Sequence, residues 1–98
     1  MKLFISQPMR GRSNEEILAE RNAAVEAVKK KLGTDVEVLD TFFMDAPTDK
    51  KPLWFLAKSI ELLDEADAVY FCSNWESARG CRAEHLCAAA YDLKILED

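Results

Sequence analysis

The chain is 98 residues long, with 49 % hydrophobic and 32 % charged residues, an ordinary globular composition for one domain and not that of a disordered tail. A chain this short buries only about 60–65 % of its unfolded surface, so its core is modest and a second subunit would add to it. A net charge of −5 disfavours wrapping a nucleic-acid polymer, which takes a basic stripe over the phosphates, and leaves small molecules as the ligand class.

Met1-Lys2 runs straight into Leu3-Phe4-Ile5 with no signal-peptide pattern, and no window approaches a membrane-spanning length of apolar residues. The expected location is cytoplasmic, without membrane association. The three cysteines, Cys72, Cys81 and Cys87, are an odd number that fits reduced thiols better than a disulfide framework.

In chain order, Lys2 to Ser6 is a first strand, closed by Gln7-Pro8 and followed by the loop Met9-Arg10-Gly11-Arg12. Ser13 to Glu16 has capping-box spacing. Ile17, Leu18, Ala24, Val25, Val28 and Leu32 then recur at helical intervals, and Lys29-Lys30-Lys31 precede Gly33, predicting a helix over about 14–32. Val36 to Leu39 is a second strand. The long loop after it carries Phe42, Phe43, Met44 and Pro47, apolar residues that either cap the edge of the core or form a wall over a ligand.

Pro52 suits a helix start, and the stripe Leu53, Leu56, Ile60, Leu63 predicts a helix over about 52–65. Ala66 to Cys72 is the most apolar strand. Gly80 to Tyr91 is an alanine-rich helix with Ala83, Leu86, Cys87 and Ala90 at packing intervals, and Leu93 to Leu96 is a last short strand.

Strict alternation of strands and helices implies a doubly wound α/β domain spanning residues 1–98, three layers thick, with a mostly parallel four-stranded sheet of order 2-1-3-4. Such Rossmann- or flavodoxin-like sheets bind ligands outside the carboxyl ends of the strands where the winding reverses. Here that is between the first and third strands, at the loops Gln7–Arg12 and Ser73–Gly80.

Neither loop carries a Walker or GxGxxG fingerprint, so a nucleoside triphosphatase or an ordinary dinucleotide dehydrogenase is not supported. Arg10, Arg12, Arg79 and Arg82 beside helix starts either hold an anionic group or lie solvated on the surface. Glu84, in the first turn of the last helix beyond a glycine and two arginines, is expected to stay ionised, a candidate nucleophile. Cys81 and His85 have the spacing of two zinc ligands but lack further ligands, and as a nucleophile pair they lack an orienting third group. No metal is expected.

Two segments carry a resemblance. Ile5-Ser6-Gln7-Pro8-Met9-Arg10-Gly11, and Trp75, Ser77, Gly80 and Glu84 ahead of an alanine-rich helix, resemble the nucleoside 2-deoxyribosyltransferase-like superfamily, most closely its small DUF4406-type branch. The resemblance covers nearly the whole chain. It implies Glu84 as the nucleophile that attacks the anomeric carbon of a 2-deoxyribosyl group, giving a glycosyl-enzyme discharged by water or a second base. It also implies a pocket for a small-molecule nucleoside or nucleotide lined by Ser6, Gln7, Pro8, Met9, Arg10, Gly11, Trp75, Ser77, Arg79 and Gly80; Phe43, of the apolar loop, is a candidate accessory wall beside it. Ser77 is the best match for a phosphate-binding serine of the related nucleotide N-glycosidases, although Ala78 stands six before Glu84, where those enzymes have it.

The chain departs from the family at the proton donor, an aspartate in relatives and Ser59 here, which leaves the loop residues Asp45, Asp49 and Glu76 as other sources of a proton. Two readings follow: an N-glycosidic bond hydrolase or deoxyribosyltransferase, and a nucleotide-binding module whose catalysis is weak or lost because Ser59 replaces the acid. A purely structural adaptor explains neither exit loop. Neither of the first two needs an organic cofactor, and small core size, surplus apolar residues and the resemblance together imply a homodimer.

Overall fold

The computed structural model describes residues 1–43 and 48–98, so Met44, Asp45 and Pro47 lie outside the described residues. Strand β1 (Lys2–Ser6) leads into helix α1 (Asn14–Leu32), strand β2 (Glu37–Val38), helix α2 (Pro52–Leu63), strand β3 (Ala68–Phe71), helix α3 (Arg79–Ala90) and strand β4 (Lys94–Glu97). A single 3₁₀ turn, Trp75–Ser77, stands between β3 and α3. The sheet is all-parallel with order β2-β1-β3-β4, as the alternation of elements predicts.

Local chemistry explains most of the boundaries. Ser13 accepts a hydrogen bond from the Glu16 backbone N–H while the Glu16 side chain accepts from the Ser13 backbone N–H, which satisfies donors at the start of α1. At the other end Gly33 takes the left-handed conformation at φ 63° and its N–H bonds the Lys29 carbonyl, a geometry costly for other residues. Pro52 begins α2, where its missing N–H loses no helical bond.

Side chains alternate across the sheet, and each face receives its own helices. Leu3 and Ile5 point to Ala24 and Val28 of α1, joined by Ala68, Tyr70, Cys72 and Leu96. Phe4, Val69 and Phe71 face the opposite way, onto Leu63 of α2 and Ala88 of α3. All four residues of β3 are buried, as a central parallel strand covered on both sides requires.

Several elements are shorter than their apolar runs. Strand β2 has only two residues, because pairing with β1 is confined to Lys2↔Glu37 and Leu3↔Val38 at the sheet's edge. Helix α2 stops at Leu63, and β3 begins at Ala68 because the Asp67 carboxylate caps the Lys2 N–H at 2.7 Å at the amino end of the sheet.

The helix faces differ more from expectation. In α3 the packed positions are Cys81, Glu84 and Ala88, whereas Leu86 is 71 % exposed and Ala90 is exposed. In α2 Leu53 is 75 % exposed, and Ser59 is buried with Leu63. Helix α1 buries Ile17, Arg21, Ala24 and Val28 and leaves Leu18 on the surface. Each helix therefore spends one core position on a polar residue, and the apolar stripe read from the sequence is rotated accordingly.

Candidate functional site

The carboxyl ends of β1 and β3 lie side by side at the winding reversal, paired through Ser6↔Phe71. Ser6, the last residue of β1, is buried, and its hydroxyl donates a 2.6 Å hydrogen bond to Glu84 Oε1. From α2, the buried Ser59 stands on the same side, and its hydroxyl favours the carboxylate's ionised form. Three elements thus converge on Glu84, which is 8 % exposed.

The electrostatics differ from those expected of a helix start. Helix α3 begins at Arg79, so Glu84 lies in its second turn, beyond the first-turn N–H groups, and Arg79 and Arg82 are exposed instead of beside it. Burial is the leading influence and raises the Glu84 pKa above the ordinary glutamate value, opposed by the hydrogen bonds from Ser6 and Ser59. The carboxylate is a desolvated group held by the Ser6 hydroxyl, with no basic side chain among its hydrogen-bonding partners in the described residues. Cys81, one turn earlier, is buried; desolvation pushes its thiol up to about 11 against a hydrogen bond with Ser6, so it stays protonated.

The β1 exit loop is anchored by a buried polar network. The Gln7 amide donates to the Ile17 carbonyl at 3.2 Å and to Glu20 Oε1 at 2.8 Å, and its oxygen accepts from Arg21 Nη1 at 3.0 Å. Arg21, only 7 % exposed, also donates to Thr41 Oγ1 at 3.0 Å and to the Leu39 carbonyl at 3.4 Å. Thr41 in turn donates to the Ile5 carbonyl at 3.2 Å. Arg12 closes the loop by donating to the Pro8 carbonyl at 3.0 Å and to Glu20 Oε1 at 2.7 Å. Glu20, Arg21 and Thr41 were not among the residues singled out from the sequence. The available signal was spacing, since Ile17, Arg21, Ala24 and Val28 follow the 4-3-4 rhythm of one buried helix face.

The predicted pocket residues fall into groups. Ser6, Ser59 and Glu84 meet. Gln7 turns into the anchoring network, while Pro8 and Met9 are half-buried and contribute carbonyls to the loop's own bonds. Arg10 and Gly11 sit exposed at the tip, Gly11 at φ +76°. Phe43 packs edge-on to Trp54 at 6.5 Å and against Phe55 at 6.3 Å, forming an aromatic cluster with the first turn of α2.

The remaining residues belong to the other exit loop. Trp75 stacks on His85 at 4.1 Å with an interplanar angle of 7° and contacts Phe71 at 5.3 Å. It does not pair with Glu84. Ser77 is exposed and donates to the Asn74 carbonyl at 2.7 Å, while Arg79 and Gly80 form the first turn of α3. A cleft of about 360 Å³ opens beside this loop, lined by Phe71 to Glu76 with Glu97 and Asp98. Its Asp98 carboxylate accepts from the Ser73 N–H and hydroxyl, each at 2.6 Å, and from Tyr70 Oη.

Cys81 and His85 have separate neighbours, Ser6 for the thiol and Trp75 for the imidazole ring. Among the described residues no three His, Cys, Asp or Glu side chains gather as a metal would need, and no helix is long and apolar enough to cross a membrane.

The fold is similar to that of a 2-deoxyribosyltransferase from the psychrotolerant bacterium Bacillus psychrosaccharolyticus, with a TM-score of 0.64, 16 % sequence identity, and coverage of 99 % of this chain and 71 % of that one. No functionally curated protein matches the sequence. The family model described as a domain of unknown function, DUF4406, matches residues 1–97, and the chain belongs to that family.

Proposed function

We propose that the protein binds a nucleoside or nucleotide and cleaves its N-glycosidic bond, with Glu84 as the nucleophile and water or a second base as the acceptor. The observation that carries this reading is the 2.6 Å hydrogen bond from Ser6 to a buried Glu84 at the carboxyl end of β1, the position where doubly wound sheets take ligands. The likeness in fold to a 2-deoxyribosyltransferase supports it.

The chemistry follows from the carboxylate's surroundings. Attack on the anomeric carbon passes through an oxocarbenium-like state, and a carboxylate is both the nucleophile and the counter-charge for it. Burial strengthens that attraction because little water screens it. The two serine hydroxyls favour the anionic form, and the bond from Ser6 fixes its orientation. Arg10 at the tip of the β1 exit loop is free to meet a 5′-phosphate, and Phe43 with Trp54 offers an aromatic face to a base.

A second reading is favoured by one observation. The α2 residue that favours the Glu84 anion is a serine, whose hydroxyl is no proton source for a departing base, and this fits a nucleotide-binding module with weak catalysis. Chromatography of free base released from a panel of 2′-deoxynucleosides and their 5′-monophosphates, with Glu84→Gln as control, separates the two. Base release by the wild type alone supports the enzyme. A monophosphate that raises the melting temperature without base release supports the module.

We propose further that the domain works as a homodimer. Leu53 on α2 and Leu86 and Tyr91 on and beside α3 leave apolar surface exposed that a second copy would cover. Sedimentation as a monomer at micromolar concentration overturns this.

A further inference from the structure

Building on the N-glycosidase reading above, we propose that the Glu84 site takes N-glycosides whose base already carries a positive charge, such as N7-alkylated purines or pyridinium bases, in preference to neutral nucleosides. Two features of the site point the same way.

The first is an uncompensated anion. Glu84 is buried at the meeting of β1, α2 and α3; among the described residues its hydrogen-bond donor is the neutral Ser6 hydroxyl, and the other side chain that favours its charge is the equally neutral Ser59. The nearby α3 arginines, Arg79 and Arg82, are exposed, and Arg82 is turned to the Glu76 carbonyl at 2.7 Å. Arg21, the buried cation, is spent on Gln7, Thr41 and the Leu39 carbonyl. A desolvated carboxylate with neutral partners is complementary to a cationic ligand, which supplies the charge the protein does not.

The second is the identity of the groups around it. A neutral purine or pyrimidine leaves as a nitrogen anion unless a proton arrives with it, and a positioned general acid is worth about 10²–10⁴-fold in such a step. Serine hydroxyls do not fill that role, and that of Ser6 is already donating to the carboxylate. Of the described carboxylates near the exit loops, Glu20 is committed to Gln7 and Arg12 and Asp98 to Ser73 and Tyr70, while Glu76 is exposed on the 3₁₀ turn.

A cationic base needs no proton. The C1′–N bond breaks with its electron pair passing to the ring nitrogen, which neutralises the base, while a Glu84 oxygen forms the new C1′–O bond. Water then attacks C1′, the C1′–O(Glu84) bond returns its electrons to the carboxylate, and the water's proton goes to solvent.

Matched pairs that differ by one methyl group isolate the charge: guanosine against 7-methylguanosine, and the same pair as 2′-deoxynucleosides, with nicotinamide riboside as a pyridinium probe. Released base is followed by chromatography after subtraction of the uncatalysed rate. The expected result is a kcat/KM at least about 100-fold higher for the methylated member of a pair, abolished by Glu84→Gln, in line with the absence of a general acid beside Glu84 among the described residues. Ser59→Asp should narrow that ratio, because a second carboxyl beside Glu84 holds a proton to give the neutral base. Equal or faster cleavage of the unmethylated member overturns the inference and leaves the N-glycosidase reading standing. Cleavage of no glycoside, charged or neutral, overturns both.

Discussion

The Ser6 hydroxyl donates a 2.6 Å hydrogen bond to Glu84 Oε1, tying the last residue of β1 to the second turn of α3 across the point where the winding of the sheet reverses. Both groups are buried, so the bond is made where water does not replace it. Ser6→Ala should therefore lower stability by about 1–3 kcal/mol at pH 8 in urea unfolding, the cost of leaving a buried acceptor without its donor. The deficit should shrink toward pH 4, where Glu84 is protonated in both proteins. A loss independent of pH contradicts the role given to this bond.

Burial raises the Glu84 pKa in the folded state above its unfolded value. The folded protein therefore holds this proton more tightly than the unfolded chain does. Glu84's contribution to stability is fully present below the ordinary glutamate range and is lost as pH rises through the raised value. Glu84→Gln keeps the shape without the charge, so its melting temperature should match wild type in acid and exceed it at pH 8. A variant less stable than wild type at pH 8 runs against this.

Arg21 sits in the core of α1 with three neutral acceptors. Arg21→Ala removes the buried stem and strands Gln7 and Thr41, at an expected cost of about 2–4 kcal/mol by chemical denaturation. Arg21→Lys should recover only part of this, because an ammonium lacks the planar fork that reaches Gln7 and Thr41 together. The exposed Arg10→Ala should stay within about 0.5 kcal/mol of wild type.

The capping box at the start of α1 offers a local control. Ser13→Ala removes the bond to the Glu16 N–H and should cost about 1 kcal/mol, or roughly 4–8 °C of melting temperature for a domain of this size. No effect on ligand binding is expected.

What the sequence discloses about this fold follows how local each signal is. Ser13, Glu16 and Gly33 bracket α1 because caps depend on a few neighbouring residues, and both ends of that helix lie where they predict. Strand order follows from alternation and the rules of parallel crossovers, not from any one residue. The packed faces were harder to see. Arg21, Ser59 and Glu84 stand at core positions of their helices, and an apolar stripe read from the sequence passes over them because each is polar.

The site was legible to a similar extent. Glu84 and Ser6 stand out in the sequence, and so does Ser59 once a resemblance directs attention to it. Their convergence depends on three elements far apart in the chain and has no local signature. The same distance conceals the burial of Glu84, which reverses the influence expected from a helix start. Trp75 illustrates the converse: its stacking on His85, ten residues on, comes from a 3₁₀ turn that no capping or periodicity signal marks.

The central claim, that Glu84 is a nucleophile toward the anomeric carbon, is tested most directly by acid-quenching the protein during turnover of an N-glycoside and locating the glycosyl adduct by peptide mass spectrometry. A covalent sugar on the peptide containing Glu84, absent from Glu84→Gln, is the predicted result. Release of base by Glu84→Gln at the wild-type rate, or an adduct on any other residue, would contradict it.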